Sequence, residues 1–361
     1  MNHDAYRRIV SGQNQRPGVG ILRVFLGAAA LIYGLVMRGR NLLYAIGILR
    51  SHAAGVPVIS VGNITTGGTG KTPLVIWLCN YLQDKGLHCS ILTRGYKTAP
   101  DQITDEPALL ARACLDTDVI VNPNRLAGAQ KAVSAHQAQA LVLDDGFQHR
   151  RLKRDLDIVA VDATCPYGYG LVLPAGLLRE PKSGLSRADA VIITRFDQAD
   201  MEQMRQLEKE IQKIAPNIPV AKAAHKHTGA VTFQNEKLDL EELSGKKIFA
   251  FCGIGNPDAF FRCLEQNGLS LADTQIFDDH HAYTQEEMKQ IFERARSCEA
   301  EMILCTQKDW VKSALLSPEI AGMVFAYLAM ELDFHEGLDR IMALVDNLFV
   351  NELKENGMTN E

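Results

Sequence analysis

One stretch of this sequence constrains the fold more than any other: an apolar run leads through a glycine-rich loop into a helical pattern. Residues 58–73 read VISVGNITTGGTGKTP. The apolar run is typical of a strand covered on both faces, and the glycines let backbone N–H groups turn inward around a phosphate. The helix that follows adds the partial positive charge of its N-terminus. The stretch therefore predicts a phosphate-binding loop and a layered α/β sheet of the P-loop NTPase type.

The residues of this loop have separate expected roles. Lys71 is expected to reach the β- and γ-phosphates of a nucleotide, and the Thr72 hydroxyl to bind Mg²⁺. Phosphate contacts are also expected from the rest of the loop, which is Thr65, Thr66, Gly67, Gly68, Thr69 and Gly70. Thr65 stands where the usual pattern has its first glycine, so we expect Gly67 and Gly68 to supply the flexibility. The alternative is a glycine turn with a structural role alone.

Past residue 55, short β-rich runs alternate with helical patterns, which predicts successive βαβ units. The expected strands of this first series lie at 56–61, 89–93, 119–121, 140–143, 157–161 and 190–194. Prolines and charges interrupt the pattern at 215–245, and a second series opens with a strand at 247–252. We predict an N-terminal membrane-associated helical segment at 1–50, a P-loop nucleotide-binding domain at 51–225 and a smaller α/β domain at 226–361.

An apolar run at 140–143 ends in two acids, Asp144 and Asp145. In P-loop proteins an acid at this point holds Mg²⁺ directly or through water, whereas a strand ending in Asp-Asp-Gly is on its own more often a turn. The loop upstream favours the metal site. The spacings do not fit the D-x-x-G and base-reading motifs of GTP switches, and Thr66 stands where partitioning ATPases have lysine. ATP is therefore favoured by elimination.

The N-terminus differs in charge from the rest of the chain. The formal net charge is −5, yet residues 1–50 hold seven Arg, no Lys and one Asp, so this segment carries +6 and the remainder −11. Between residues 18 and 37 only Arg23 is charged. A basic, apolar segment predicts contact with an anionic membrane surface. The alternatives are a buried helix flanked by solvated arginines and a signal peptide, but bulky basic residues follow Met37 instead of a small-residue cleavage site.

Several further segments, in this order, resemble the tetraacyldisaccharide 4′-kinase family, the lipid A kinases of Gram-negative bacteria. Besides 58–73, they read ILTRGY at 91–96, TDEP at 104–107, LDDGFQHR at 143–150, LPAG at 173–176, LREP at 178–181, GIGNP at 253–257 and DHHAY at 279–283. The chain departs from the family's pattern at Leu177 and Asp278, where proline is expected, and at Gln307, where glutamate is common.

The resemblance implies an enzyme that uses ATP and Mg²⁺ at the cytoplasmic face of the bacterial inner membrane. It would phosphorylate the 4′-hydroxyl of tetraacyldisaccharide 1-phosphate to give lipid IVA, with the lipid A disaccharide precursor and the membrane surface as partners and no nucleic acid. Two alternatives stay open at this point. One is a membrane-surface ATPase with a regulatory or scaffolding role, and the other is a soluble P-loop kinase of a small metabolite.

The same resemblance assigns residues to the proton transfer. Asp105 is expected to take the hydroxyl proton, partnered by His280 with Asp279 orienting the imidazole. Glu106 is expected among the metal ligands with Thr72, Asp144 and Asp145. Arg94 and Arg179 are expected to bind substrate.

The residues themselves give limited support to these assignments. Pro107 biases Glu106 towards an extended backbone, which predicts Asp105 on a loop or strand end. A capping box at 284–287 opens a helix just after His280. The alternatives are that Asp105 caps a helix beginning at Pro107, and that residues 278–281 form a solvated polar loop.

Overall fold

The computed structural model describes residues 3–13, 16–95, 105–279, 281–316 and 323–350. In chain order the elements are α1 His3–Val10, α2 Pro17–Ala45, β1 Val58–Asn63, α3 Lys71–Asp84, β2 Cys89–Thr93, α4 Asp105–Ala113, β3 Asp118–Val121, α5 Arg125–His136, β4 Ala140–Asp144, β5 Leu156–Asp162, β6 Ala190–Thr194, α6 Met201–Ile214, β7 Val220–Thr232, β8 Lys237–Asp239, α7 Leu240–Leu243, β9 Lys247–Cys252, α8 Pro257–Gln266, β10 Ser270–Ile276, α9 Gln285–Ser297, β11 Met302–Cys305, α10 Gln307–Ser313, β12 Val324–Glu336 and α11 Leu338–Leu348. The predicted layered α/β fold is confirmed.

The chain folds as two compact units. The first contains the chain up to Gly95, Cys114–Ala224 and the chain from Leu332 onward, and the second contains α4 and His225–Glu331. This division differs from the predicted domains 51–225 and 226–361 at two places. Helix α4 groups with the second unit, and the C-terminal helix α11 groups with the first. The N-terminal helices group with the first unit.

The sheet of the first unit is parallel, with the strand order β7-β6-β5-β1-β4-β2-β3. Every residue of β1, β2, β4, β5 and β6 is buried, which explains why these strands read as continuous apolar runs. In the register of β1 and β4, Val61 lies opposite Asp144. The loop after β1 and the acids at the end of β4 therefore lie at the same edge of the sheet.

The second unit has its own parallel strands, in the order β10-β9-β11-β12. Aromatic side chains fill its core, including Phe249, Phe251 and Trp310, which are fully buried. Helix α4 packs against α10, and the Arg112 guanidinium lies 5.4 Å from the Trp310 ring. The sequence pattern missed β10 because this edge strand is half-exposed and polar.

Helix α2 has two unlike faces. Ala30 and Met37 are buried, and Gly34 lies against Val172. The opposite face exposes large apolar side chains, each at least 59% exposed: Ile21, Val24, Phe25, Leu31, Ile32, Leu35, Val36 and Leu42. The segment Gly18–Ala45 is long and apolar enough to cross a membrane by length and composition. The alternative of a buried helix is therefore wrong for this face.

The C-terminal helix is tied to the helix of the phosphate-binding loop. The Tyr81 hydroxyl on α3 donates a 2.7 Å hydrogen bond to the Asp346 carboxylate on α11, and Lys85 lies 3.4 Å from the same carboxylate. The Trp77 ring centroid lies 4.9 Å from that of Phe334. These contacts explain why the chain beyond Leu332 belongs to the first unit.

Tyr81→Phe is expected to lower the free energy of unfolding by about 1 kcal/mol, because it leaves the half-buried Asp346 without a hydroxyl donor. Urea unfolding followed by circular dichroism measures the change. Tyr169→Phe, which alters an exposed tyrosine of the same unit, is the control and is expected to have no measurable effect. Equal stability of Tyr81→Phe and the unaltered protein would contradict this account of how α11 is held.

Candidate functional site

The glycine-rich loop runs from Asn63 at the end of β1 to Lys71 at the start of α3. Gly67 and Gly70 have φ values of 113° and 79°, in the left-handed region that disfavours side chains. Of the pair Gly67 and Gly68, only Gly67 has this backbone. Thr65 lies outside that region and forms a bridge with Leu178, so its position does not require glycine.

Hydrogen bonds from outside the loop hold it in shape. The Thr66 N–H donates to the Leu177 carbonyl at 2.7 Å, and the Asn63 side chain donates to the Thr69 hydroxyl at 2.8 Å. The Thr194 hydroxyl donates to the Thr69 carbonyl at 2.9 Å. Since the N–H of Thr69 also donates, to Gly67, the N–H groups of Thr66 and Thr69 are already engaged. The predicted phosphate contacts of the loop residues stay predictions.

Asp145 lies between two cations at the mouth of this loop. Its carboxylate is 3.4 Å from Lys71 Nζ and accepts a 2.6 Å hydrogen bond from Arg179 Nη1. Burial raises the pKa of Asp145, but Lys71 and Arg179 outweigh this effect and hold the pKa below its usual value. The structure thus brings together three residues that the sequence assigned separately to phosphate, metal and substrate.

Asp144 lies beside Asp145, at the end of β4. It is buried, its carboxylate accepts a 3.3 Å hydrogen bond from the Thr93 hydroxyl, and its backbone carbonyl accepts one from Arg125 at 3.3 Å. Oδ1 of Asp145 is buried and faces Lys71 Nζ at 3.4 Å. Asp144, Asp145 and Thr72 carry carboxylate and hydroxyl oxygens, which are the type of ligand that Mg²⁺ prefers, and their predicted role as metal ligands stays a prediction.

Metal binding here would need oxygen atoms from outside these side chains. Within the described parts of the chain, no group of three or more His, Cys, Asp or Glu side chains is placed to hold a metal. Mg²⁺ in proteins is commonly bound by one or two carboxylates together with water and substrate phosphates. The pair Asp144 and Asp145 fits that pattern.

Several arginine side chains lie around His149. Burial, and then the charges of Arg125, Arg154, Arg151 and Arg94, lower the pKa of His149 to about 4. The imidazole is therefore neutral at pH 7, and the arginines provide the positive field. Arg94, which the sequence assigned to substrate binding, is exposed and contributes to this field.

A second set of polar residues, to which the sequence analysis assigns no role, lies next to the Asp145 cluster. Gln148 donates through Nε2 to the Asn63 carbonyl at 2.8 Å and to Glu180 at 3.0 Å. Glu180 is fully buried and pairs with Arg187 at 2.8 Å. Gln148 and Glu180 lie inside segments that carry the family resemblance, and this position in the sequence could have identified them as site residues.

Two further arginines reach the loop itself. Arg195 donates to the Gly68 carbonyl at 3.0 Å and pairs with Asp162. The Arg7 guanidinium on α1 lies 3.0 Å from where a Cβ on Gly67 would be. Local sequence patterns gave no signal for Arg7, because its proximity depends on how α1 packs.

The second unit holds the other predicted residues. Asp105 is the first residue of α4, followed by the exposed Glu106. The expectation of an extended backbone at Glu106 is wrong, because a helix tolerates proline in its first turn, where Pro107 lies. The alternative that the helix begins at Pro107 is also wrong, by two residues.

The histidine loop is described in part. His280 lies outside the described residues, and Asp279 is exposed with its carboxylate close to Gly255. The His281 imidazole pairs with Glu287 at 3.0 Å and stacks 4.8 Å from the Phe277 ring. Thr284 and Glu287 form the predicted capping box.

Comparison with known proteins places the chain in a family. The family profile described as "Tetraacyldisaccharide-1-P 4'-kinase" matches residues 22–347. A tetraacyldisaccharide 4′-kinase from Desulfotalea psychrophila is 36% identical over 306 residues, covering 80% of this chain and 87% of the relative. One from Chlorobaculum parvum is 36% identical, covering 90% and 96%.

A solved structure agrees with this assignment. The crystal structure of LpxK from Aquifex aeolicus in complex with ATP superposes with a TM-score of 0.73 at 28% identity, covering 91% of this chain and 99% of the other. The match extends along nearly the whole of both chains, as does the match to the Chlorobaculum parvum relative. The chain therefore belongs to the tetraacyldisaccharide 4′-kinase family.

Proposed function

We propose that this protein transfers the γ-phosphoryl group of ATP to the 4′-hydroxyl of tetraacyldisaccharide 1-phosphate, giving lipid IVA. Family membership supports the substrate. The observation that carries the chemistry is the partly buried Asp145 carboxylate held between Lys71 and Arg179 at the mouth of the glycine-rich loop. In this cluster Asp145 would serve as a metal ligand, and Lys71 and Arg179 would be the cations that bind phosphate beside the loop.

The residues of the first unit suit the nucleotide. The left-handed Gly67 and Gly70 turn the loop, α3 presents its N-terminus, and Lys71 carries a positive charge towards the phosphates. Mg²⁺, held by Thr72, Asp144 and Asp145, would neutralise charge on the phosphates when bound. We keep Glu106 as a proposed further ligand on the ground of the family resemblance alone.

The transfer forms a bond between the 4′-oxygen and the γ-phosphorus and breaks the bond from that phosphorus to the bridging oxygen of ADP. The hydroxyl proton must leave, and we assign its acceptance to Asp105, partnered by His280 and Asp279. His281 is a poorer choice for that partner, because its imidazole is already paired with Glu287. Arg94 and Arg179 have guanidinium groups suited to phosphate oxygens of the substrates.

We place the enzyme at the cytoplasmic face of the inner membrane, anchored by α2. The apolar outer face of that helix and the +6 charge of residues 1–50 suit anionic lipid. A tetraacylated substrate also resides in a bilayer, so this attachment would bring the active site to it.

The proposal is tested with radiolabelled ATP and tetraacyldisaccharide 1-phosphate in detergent micelles. The unaltered protein is expected to transfer label to the acceptor, and Lys71→Ala to lower kcat at least about a hundredfold because charge stabilisation is lost. The control Lys153→Ala removes a lysine whose side chain is 62% exposed, and is expected to stay within about twofold. Absence of transfer by folded, ATP-binding protein would refute the proposed activity.

Asp105→Ala is expected to lower kcat at least about a hundredfold with little change in MgATP affinity, because it removes the proton acceptor and leaves the loop intact. Asp258→Ala is a matched control, since Asp258 also lies in the first turn of a helix in the second unit. Near-normal turnover of Asp105→Ala in the same assay would remove Asp105 from the mechanism.

Replacing two exposed apolar residues on α2, Leu31→Gln with Leu35→Gln, is expected to weaken binding to anionic vesicles at least about tenfold, because apolar burial in the bilayer is lost. Vesicle sedimentation measures the partition. Leu115→Gln changes a 74% exposed leucine elsewhere in the first unit and is expected to leave binding unaltered. Unchanged sedimentation of the double variant would place the membrane contact elsewhere.

A further inference from the structure

The inner face of α2 forms hydrogen bonds directly with the residues that surround Asp145. The Tyr33 hydroxyl donates to the backbone carbonyl of Arg179 at 2.7 Å, and Arg40 donates to the backbone carbonyl of Gln148. Asn41 Nδ2 donates to the Glu180 carboxylate at 3.0 Å. Helix α2 is therefore held by polar contacts with Arg179, Gln148 and Glu180 as well as by apolar packing.

Glu180 is the centre of this network. It is fully buried, so its charge depends on the donors around it. Arg187 donates to both of its oxygens, at 2.8 and 3.2 Å, Gln148 donates at 3.0 Å, and Asn41 supplies the remaining bond. Burial raises the pKa of Glu180, but the bonds from Arg187, Gln148 and Asn41 outweigh it and keep the pKa below its usual value.

Gln148 carries the connection from Glu180 to the reacting end of the site. Its Nε2 donates to Glu180 and also to the Asn63 carbonyl at the start of the glycine-rich loop. Its Oε1 accepts a 3.4 Å hydrogen bond from Arg179 Nη1, the same atom that binds Asp145. A shift of the Glu180 carboxylate would therefore move Gln148, and with it both the loop and Arg179.

The rest of the protein also holds α2 at Asn41. Arg150 donates to the Asn41 carbonyl at 3.0 Å, and the Arg150 guanidinium lies 4.8 Å from the Tyr44 ring on the next turn. The inward residues Tyr33, Met37, Asn41 and Tyr44 recur at helical spacing on the face opposite the exposed apolar residues. The rotation of the helix is thus fixed at the point where the Asn41 side chain contacts Glu180.

We propose that Asn41 is a positioning residue for phosphoryl transfer, holding Glu180 so that Gln148 and Arg179 keep Asp145 and the glycine-rich loop in place. Helix α2 then belongs to the catalytic apparatus as well as to the membrane contact. This inference rests on the proposed kinase activity for its main readout, while its effect on MgATP binding stands apart from the acceptor.

Asn41→Ala is expected to lower kcat about tenfold and to weaken MgATP binding severalfold, the usual scale for residues that orient a metal or catalytic ligand. Tm is expected to fall by only about 2–4 °C, because one of the four bonds to the buried Glu180 carboxylate is lost and three remain. Vesicle binding is expected to stay unchanged, so assays well below the Tm of both proteins separate positioning from a merely structural role. Gly39→Ala is the control two residues away, because its added methyl group meets open space. Full kcat and unaltered MgATP affinity in Asn41→Ala would overturn the inference, as would a loss of activity that only follows a loss of folded or membrane-bound protein.

Asn41→Asp adds a readout that packing alone does not move. The introduced carboxyl would lie beside the buried Glu180 carboxylate, and repulsion between the two negative charges raises the pKa of the introduced group. Only the protonated form of the introduced carboxyl can donate a hydrogen bond to Glu180 in place of the amide. Relative to the unaltered enzyme, kcat is therefore expected to rise as the pH falls from about 8 to about 6. A constant ratio across this range would count against the role of the donated bond.

A double-mutant cycle tests the route through Glu180. In a Glu180→Met background, which keeps the side-chain length but offers no oxygen acceptor, Asn41→Ala is expected to change kcat by less than about twofold, because the acceptor through which it acts is gone. Full additivity would overturn the route. If the unaltered enzyme transfers no label to the acceptor, the proposed function fails, and the MgATP affinities of the same variants still decide the role of Asn41.

Discussion

The balance of charge around Asp145 is the interaction on which the rest of the site depends. A carboxylate that is largely removed from water is destabilising without partners, and Lys71 and Arg179 supply those partners at 3.4 and 2.6 Å. Lys71 comes from the first turn of α3, Asp145 from the turn after β4, and Arg179 from the segment that also pairs with the glycine-rich loop. One charge cluster therefore fixes the relative positions of three parts of the chain.

The parallel sheet of the first unit makes this cluster possible. Because β1 lies between β4 and β5, the loop after β1 and the acids after β4 open at one edge. The left-handed backbone of Asp145, with φ of 51°, then turns its carboxylate out of the strand direction, whereas Asp144 remains buried at the strand end. Two adjacent acids thus have unlike surroundings, one bonded to the Thr93 hydroxyl and one paired with cations.

The sequence predicted the parts of the structure that depend on local pattern. The buried strand, the glycines and Lys71 could be placed because strand burial and backbone freedom are local properties. Glu180 and Asn41 lie 139 residues apart, and Tyr81 and Asp346 lie 265 apart, so no local period marks either pair. Pro107 misled the prediction for Glu106 because a proline within the first turn is compatible with a helix that starts two residues earlier.

Helix α2 has one face against the first unit and one exposed apolar face, and apolar residues alone would not fix which face points which way. Apolar contact has little directional preference, so an apolar face sets no particular rotation of a helix in lipid. Hydrogen bonds do have direction, and those of Tyr33, Arg40 and Asn41 fix one rotation against the folded unit. The same bonds determine which side chains face outward, so the orientation of the exposed apolar face and the positions of Gln148, Arg179 and Glu180 are set by one group of contacts. Loss of all three bonds is therefore expected to affect both, whereas Tyr33 and Arg40 still hold the rotation of the helix when Asn41 alone is replaced.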